Sequence, residues 1–269
     1  MERSRLKYVI IAILVLLNAF LLTSILMQRS AEQTTHRRLE EQIIRLFAAD
    51  GMTMKEGTLP AEQPPAALSM SRDSELEQKA AAFFLGEDVT CEEQSGGVVV
   101  YLGEKGTAIF REDGSFEIDG MLAAEDTEAV CRTFCKNFFY GEPTFRVNIA
   151  GDGNASAEGL YEKRRVVGGG VEFRVEGGVL TSVRGTLLPE DGIPAATDTK
   201  MLSASAALTE FQKTRRETAA VVSMVSDVTL CYRLQRSAAA PMLMVPAWCI
   251  VTDTSVYYVN CATGAVTTD

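Results

Sequence analysis

The hydrophobic and polar positions of this chain form one long apolar run, followed by alternating helical and strand-like patterns. From Tyr8 to Gln28 no side chain is charged, and Val, Ile, Leu, Ala and Phe fill most positions. About 20 such residues allow an α-helix to cross a hydrocarbon core of roughly 30 Å. No second run of this kind follows, so the pattern predicts a single membrane-spanning helix over 8–28.

Charges beside the apolar run predict its orientation. Arg3, Arg5 and Lys7 precede it directly, and Arg29 follows it. Positive charge favours the cytoplasmic side, so we expect a single-pass protein of the cell membrane with residues 1–7 in the cytoplasm and the C-terminal part outside. A cleaved signal peptide is the alternative, but the run is longer than a typical signal core and lacks a small-x-small cleavage motif.

Three residues within the run are candidates for contact with a partner helix. Asn18 is a polar amide in a hydrocarbon setting, and Ala19 and Thr23 have the four-residue spacing of small side chains that allows helices to approach closely. The alternative is that Asn18 bonds to its own backbone and Ala19 has no special role. Both interpretations stay open at this point.

After the span, the pattern predicts an α+β protein built of repeated helix-plus-antiparallel-sheet units. No Gly or Pro occurs from Gln28 to Ala49, so the helix is expected to continue to Asp50–Gly51. Leu39, Ile43, Leu46 and Phe47 recur at helical spacing, so the end of this helix is expected to dock on the folded part, before a proline-containing linker. The predicted division is a cytoplasmic tail (1–7), a transmembrane helix (8–28), a juxtamembrane helix (29–50), a linker (51–72), a first unit (73–120) and a second region of two further units (121–269).

Capping and turn residues place the elements within these units. Ser74–Glu77 resembles a capping box that begins a helix, a second helix is predicted after Glu125–Asp126, and a third near Ser203. Gly168–Gly170 is read as a hairpin turn rather than a phosphate-binding loop, because no helix follows it. The strand candidates are Val98–Leu102, Thr107–Arg111, Ser115–Asp119, Phe145–Ile149, Leu160–Val167, Val171–Glu176, Val179–Leu188, Val221–Arg236, Ala247–Thr252 and Val256–Cys261.

Two prolines and two residue pairs that contain glycine refine the strand prediction. Pro241 and Pro246 are expected to bracket a connection outside the central strands, because proline cannot donate to a ladder. Asp113–Gly114 and Gly177–Gly178 are typical hairpin turns. Similar endings at Phe83–Gly86 and Phe138–Gly141 suggest an internal repeat, with chance similarity as the alternative.

Composition restricts the chemistry available to the chain. Its 269 residues carry a formal net charge of −10, which disfavours nucleic acid as a partner. His36 is the only histidine, so a His-based zinc site or a Ser-His-Asp triad is not expected in the outer part. We therefore expect no catalytic residue, no metal site and no cofactor, and a protein that is not an enzyme.

The six cysteines show no metal-binding spacing. Cys131 and Cys135 share a helix face in poor geometry for a disulfide. Cys249 and Cys261 are predicted on neighbouring strands, where a bridge is possible. Buried reduced thiols that act as small hydrophobic side chains are the favoured interpretation.

Two stretches resemble the YycI/YycH family of membrane-anchored regulators of the WalK (YycG) sensor histidine kinase. The first, Ser4–Leu22, has a short basic tail and a Leu-Leu-Asn-x-Phe-Leu-Leu core. The second, Val245–Gly264, is similar to the closing hairpin of YycI and of PepSY-like domains, with Pro-x-Trp-x-Ile followed by Tyr-Tyr-Val-Asn-x-x-Thr-Gly.

The resemblance implies a membrane-anchored regulator that modulates a two-component sensor histidine kinase through transmembrane-helix and extracytoplasmic contacts. Its expected partners are the kinase and a paralogous YycH-like regulator. The alternative function is an extracytoplasmic PepSY-like module that inhibits or chaperones a protease. Trp248 and Ile250 alternate with polar positions and are expected to be core residues rather than a ligand site.

Overall fold

The described part of the chain forms four helices and fifteen strands in a computed structural model. It comprises residues 2–123, 126–138, 147–149, 154–187, 192–195, 200–237 and 240–268, and side chains are not described at 2–12, 25, 26, 28–32, 127, 147–149, 237, 240 and 241. The helices are α1 (Glu2–Ala49), α2 (Ser74–Leu85), α3 (Thr127–Phe138) and α4 (Ala204–Thr218). The predicted α+β class is confirmed.

The strands follow the helices in groups along the chain. They are β1 (Thr53–Met54), β2 (Leu68–Met70), β3 (Thr90–Gln94), β4 (Val98–Gly103), β5 (Gly106–Phe110), β6 (Ser115–Ala123), β7 (Val147–Ile149), β8 (Ala155–Tyr161), β9 (Arg164–Glu176), β10 (Val179–Thr186), β11 (Gly192–Pro194), β12 (Met224–Ser237), β13 (Ala240–Thr252), β14 (Val256–Asn260) and β15 (Val266–Thr268).

All these strands belong to one sheet in which β9 joins two halves. The main order is β11-β2-β13-β12-β9-β10-β6-β5-β4-β3, and β7 with β8, β14 with β15, and β1 extend it at the side. β9 pairs antiparallel with β10 over Val171–Glu176 and parallel with β12 at Val166 and Val167. One strand therefore carries the pairing of the two halves.

The glycine run Gly168–Gly170 lies inside β9, so its prediction as a hairpin turn is wrong. Ala157 of β8 lies opposite Val171 of β9, whereas Gly159, the second residue after it, lies opposite Val166. β9 therefore uses more residues than β8 over the same length of the ladder. The additional residues of β9 form a bulge at which the strand changes partner. Gly168 has a φ of +81°, a conformation that side chains other than glycine rarely adopt.

The hairpin turn that sequence reasoning missed lies at Glu162–Lys163. Both residues have positive φ values, 47° and 66°, as a tight turn between β8 and β9 requires. The candidate strand Leu160–Val167 is therefore two strands separated by a turn. Neither Glu nor Lys is a typical residue for this conformation, so the residue types at these two positions do not indicate a turn.

A first core lies between the helices α2 and α3 and the strands beside them. Phe134 of α3 is fully buried and packs on Phe84 of α2, with ring centroids 5.2 Å apart, and on Phe173 of β9 at 5.7 Å. α2 begins at Ser74 as predicted, but its N-cap is Asp73, whose Oδ1 accepts the amides of Glu75 and Leu76. The capping-box role predicted for Ser74 is thus wrong.

A second core combines the two ends of the chain. The last turns of α1, together with β1 and α4, cover the sheet formed by β12, β13 and β14. Trp248 and Ile250 are fully buried there, as predicted, together with Phe211, and Trp248 Nε1 donates to the carbonyl of Leu202 at 2.8 Å. The predicted segment boundaries at residues 50, 72 and 120 stay a prediction, since residues on both sides of them pack in the same core.

Pro241 and Pro246 both lie within β13, a long strand paired on two sides, which corrects the prediction that they bracket a connection. On the side away from β12, β13 pairs with β2 at Met242–Met244 and with β14 from Ala247 onward. Pro246 occupies the position between these two partners. The missing N–H therefore interrupts no ladder, and the Pro246 carbonyl accepts the Cys261 amide at 2.9 Å.

All six cysteines lie in the described part of the chain and none forms a disulfide. Cys261 packs in the second core with Trp248, whereas Cys249 packs on the opposite sheet face with Tyr258. A bridge between Cys249 and Cys261 is therefore excluded. Burial raises the pKa of the thiols of Cys131, Cys135, Cys231 and Cys261 to about 12, whereas Cys91 is exposed.

Replacing Trp248 by Ala is expected to lower the free energy of unfolding by roughly 3–5 kcal/mol, because the indole fills the second core. Val221→Ala is the matched control, since Val221 is 82% exposed and should cost almost nothing. Chemical denaturation of both variants measures the difference. Equal stability of the two variants would contradict the assignment of Trp248 to the core.

Candidate functional site

The first half of α1 presents apolar side chains outward. The large side chains that are about half exposed or more include Ile13, Leu16, Phe20 and Leu22, with exposed fractions of 58, 70, 67 and 60%. Positions of the predicted span at 8–12, 25, 26 and 28 have side chains outside the described set. Among the described residues, no helical stretch is both long and apolar enough to cross a membrane.

The predicted partner-contact residues Asn18, Ala19 and Thr23 all lie on this exposed part of α1. Asn18 Nδ2 donates to the Leu14 carbonyl at 2.9 Å. The Thr23 hydroxyl donates to the Ala19 carbonyl, and also lies 3.2 Å from the Phe20 carbonyl oxygen. Both polar side chains can thus bond to their own helix, as the alternative interpretation of Asn18 held, and a role in partner contact stays a prediction.

The other end of α1 is held in the second core by one narrow stripe of side chains. Glu40, Ile43 and Phe47 are buried at a spacing of three and four residues, which places them on one helix face. The ring of Phe47 lies edge-on to Phe211 of α4, with centroids 6.3 Å apart, and Phe211 in turn contacts Tyr257 of β14 at 4.9 Å. The helix end is therefore an integral part of this core.

Glu40 fixes the chain that returns from α1. Its Oε1 accepts the amide of Gly57 at 2.7 Å and the amide of Leu59 at 3.1 Å. Hydrogen bonds to a carboxylate are stronger than those between neutral groups, and a buried carboxylate needs such partners. Leu59 is itself buried in the second core, so Glu40 connects the helix to the packing of the following loop.

A polar cluster, which we call the Asp50 cluster, closes the end of α1 against α4. It consists of Asp50, Gln212, Arg215 and Arg216. Asp50 Oδ2 accepts from Arg216 Nε at 2.7 Å and from the Gln212 amide, while the Asp50 carbonyl accepts from Arg215 Nη2 at 3.3 Å. The last turn of α1 contains no basic residue of its own, so the two arginines supply the positive charge that favours a helix C-terminus.

A second charged contact joins the first core to the start of α2. Arg72 donates to both carboxylate oxygens of Glu77, at 2.5 and 2.7 Å, and to the Gly97 carbonyl at 2.6 Å. Burial raises the pKa of Glu77, while the hydrogen bond that Arg72 donates to Glu77 raises the pKa of Arg72. The pair ties the end of β2 to α2 and to the turn before β4, which is a structural task.

A shallow cleft of about 570 Å³ lies on the polar sheet face near the bulge of β9. Arg184 on its floor bonds to Glu117 and lies opposite Glu172 on β9. Arg236 donates to the Gly168 carbonyl at 2.5 Å and also to the buried hydroxyl of Thr186. The cleft thus carries both signs of charge in contacts within the protein, and its chemistry selects no class of ligand.

Groups suited to metal binding do not come together in the described part of the chain: no three His, Cys, Asp or Glu side chains there could hold an ion. His36 lies on α1, one turn before Glu40. The distinguishing feature of the described structure is α1, which has an exposed apolar end and an end that is packed in the second core.

Sequence reasoning identifies the exposed apolar end of this site. The helical spacing of Ile43 and Phe47 also predicts the packed end, and both residues lie in the second core. The hydrogen bonds of Glu40 and Asp50 are not predicted. Asp50 and Gln212 lie 162 positions apart, and no local pattern reports such a contact.

Comparison with known proteins gives low similarities. No family model and no curated protein matches the chain. An uncharacterized protein from Eubacterium rectale is similar with a TM-score of 0.43 and 9% identity, covering 81% of this chain and 85% of that chain. YycH from Bacillus subtilis has a TM-score of 0.38 and 11% identity, covering 74% and 53%. The YpeB C-terminal domain from Bacillus megaterium has 0.34 and 11%, covering 74% and 98%.

Replacing Phe47 by Ala is expected to destabilise the second core by roughly 3–5 kcal/mol, because the ring is fully buried against Phe211. Leu39→Ala is the control on the same helix, since Leu39 is 40% exposed. Denaturation followed by Trp248 fluorescence reports this core. If Phe47→Ala unfolds at the same denaturant concentration as Leu39→Ala, α1 is not part of the core.

Proposed function

We propose that this chain is a single-pass, membrane-anchored regulator that modulates a two-component sensor histidine kinase by contact and without catalysis. The observation that carries the proposal is the continuity of α1. It is one helix of 48 residues, about 70 Å long at roughly 1.5 Å per residue. One end is apolar and exposed, and the other is packed in the second core.

The membrane part of the proposal rests on residues 8–28. In sequence, this stretch has no charge, and the side chains described from Ile13 to Leu22 are exposed around the helix. A helix that is apolar on all sides suits a lipid environment. The backbone bonds made by Asn18 and Thr23 lower the cost of placing their polar groups in hydrocarbon.

The choice of partner rests on the resemblance of Ser4–Leu22 and Val245–Gly264 to the YycI/YycH family. These two stretches lie at the two ends of the chain, and the second core brings the downstream half of α1 together with the C-terminal hairpin. The partners proposed are the kinase and a paralogous YycH-like regulator. Nucleic acid is not a proposed partner, because the net charge is −10.

The mechanism proposed is a shift of population between kinase states. A regulator changes the output only by its difference in affinity for the two states. Contacts of α1 with the transmembrane helices of the kinase provide this difference, and the outer half adds contacts at the surface. A rigid helix is suited to carry a movement of the outer half into the membrane.

The proposed topology predicts that Cys91 reacts with a thiol reagent that cannot cross membranes when intact cells are treated. Cys91 is exposed, whereas the five other cysteines are buried, so one label per chain is expected in the folded protein and six after unfolding. Mass spectrometry counts the labels. Labelling of Cys91 only in inverted vesicles would reverse the orientation.

Asn18→Leu is expected to weaken co-purification with the kinase by about 3- to 30-fold, since an interhelical polar contact contributes roughly 0.6–2 kcal/mol. Ala19→Leu should act in the same direction by preventing close approach. Leu16→Ile, on the same exposed stretch, is the control. Thermal stability should stay constant, because Asn18 lies far along α1 from the second core.

Unchanged association and unchanged kinase phosphorylation in both Asn18→Leu and Ala19→Leu would mean that α1 is only an anchor. An unrelated membrane helix in place of 8–28 then distinguishes the alternatives. A regulator that acts through its helix loses activity after the exchange. A PepSY-like module that inhibits or chaperones a protease keeps it.

A further inference from the structure

The Asp50 cluster differs from the rest of the α1 contact because charged groups make it. One carboxylate meets two arginines, with Arg216 Nε and Nη2 each 2.7 Å from Asp50 Oδ2 and Arg215 Nη1 at 4.0 Å. Gln212, Arg215 and Arg216 lie three and four positions apart, so one face of α4 is turned toward the end of α1. The cluster therefore fixes the end of α1 against this face.

The cluster is also accessible to solvent on one side. The side chain of Arg216 is 55% exposed and that of Asp50 is 23% exposed. Water and salt weaken charged contacts in such positions. The cluster is consequently the part of the α1 contact that a change outside the protein can reach, whereas Phe47 is fully buried.

Two atoms of the same cluster are buried without satisfying their hydrogen-bonding capacity. Gln212 Oε1 and Arg215 Nε have no partner among the described residues. Buried polar atoms of this kind destabilise the arrangement that contains them. A second arrangement of α1 against α4 that pairs these atoms would recover this cost, as a two-state element requires.

We propose that the Asp50 cluster is a switch that sets the position of α1 relative to the outer half of the protein. In the state described here, Asp50 holds the helix end on α4. When the cluster opens, the helix turns or tilts about the stripe of Ile43 and Phe47. The role of this movement in signalling rests on the proposed function, but the movement itself does not.

Because α1 is long, a small change in its tilt at Asp50 produces a large displacement of its other end. Residues 13–22 lie about 30–40 residues from Asp50, which is roughly 40–55 Å along a helix. A tilt of about 10° at the end of α1 moves such a position by several ångströms, more than the clearance of a close helix contact. The cluster is thus placed where it has most effect on Asn18 and Ala19.

The test measures the distance between two spin labels in the full chain reconstituted in lipid nanodiscs. One label is attached to native Cys91, which is exposed, and the other to Gln33→Cys on the exposed part of α1. Pulsed electron spin resonance gives the distribution of distances. Asp50→Ala is compared with Glu41→Ala, which also removes one carboxylate from α1 but only from an exposed pair with Arg45.

A single narrow distribution is expected for the original chain and for Glu41→Ala, and a broadened or second distribution for Asp50→Ala. Amide hydrogen exchange over residues 40–49 should become about 10- to 100-fold faster in Asp50→Ala, as loss of charged hydrogen bonds implies. Exchange in β4–β6 of the first core should not change. Distributions of Asp50→Ala and Glu41→Ala that coincide would overturn the switch.

Two further variants keep the test decisive if Asp50→Ala does not fold. Asp50→Asn retains an acceptor for Gln212 but loses the charge, and Arg216→Gln changes an exposed side chain without leaving a cavity. Both variants should broaden the distance distribution, by less than Asp50→Ala does. If neither variant broadens it, the proposal is overturned. If the distances change while both Asn18→Leu and Ala19→Leu leave kinase association and phosphorylation unaltered, the switch stands and the proposed action through α1 fails.

Discussion

The pairing of β9 with two different neighbours is the constraint on which the rest of the structure depends. β9 runs antiparallel to β10, which belongs to one half of the sheet, and parallel to β12, which belongs to the other half. The two pairings meet at Gly168–Gly170, where β9 also carries additional residues relative to β8. Arg236 and Thr186 bond to the Gly168 carbonyl from β12 and β10, and the bulge is therefore held from both halves.

The second half of the sheet depends equally on the start of the chain. Its core contains Phe47, Met52 and Met54 beside Phe211 and Trp248, and β1 pairs with the beginning of β12. Residues that are far apart in sequence thus share one set of apolar contacts. Because such packing is cooperative, a disturbance at the end of α1 is felt by α4 and β14 rather than by the helix alone.

Local patterns predicted those elements whose signals are local. The helix at Ser203, the hairpins at Asp113–Gly114 and Gly177–Gly178 and the burial of Trp248 follow from capping, turn chemistry and alternation. The errors in the strand predictions have a common cause, because tertiary pairing overrode a local rule. Pro246 fits inside β13 only because its neighbour strand changes there, and Glu162–Lys163 adopts a turn for which neither residue has a preference.

The candidate site shows the same division between local and distant signals. The exposed apolar stretch of α1 is visible in the sequence, whereas Glu40 and Asp50 acquire their roles from Gly57, Leu59 and α4. Any movement of the sheet reaches the first half of α1 through residues 36–50, because the buried side chains described on α1 lie there. The position of Asn18 relative to the two cores therefore depends on the contacts that Glu40, Phe47 and Asp50 make at the other end of the helix.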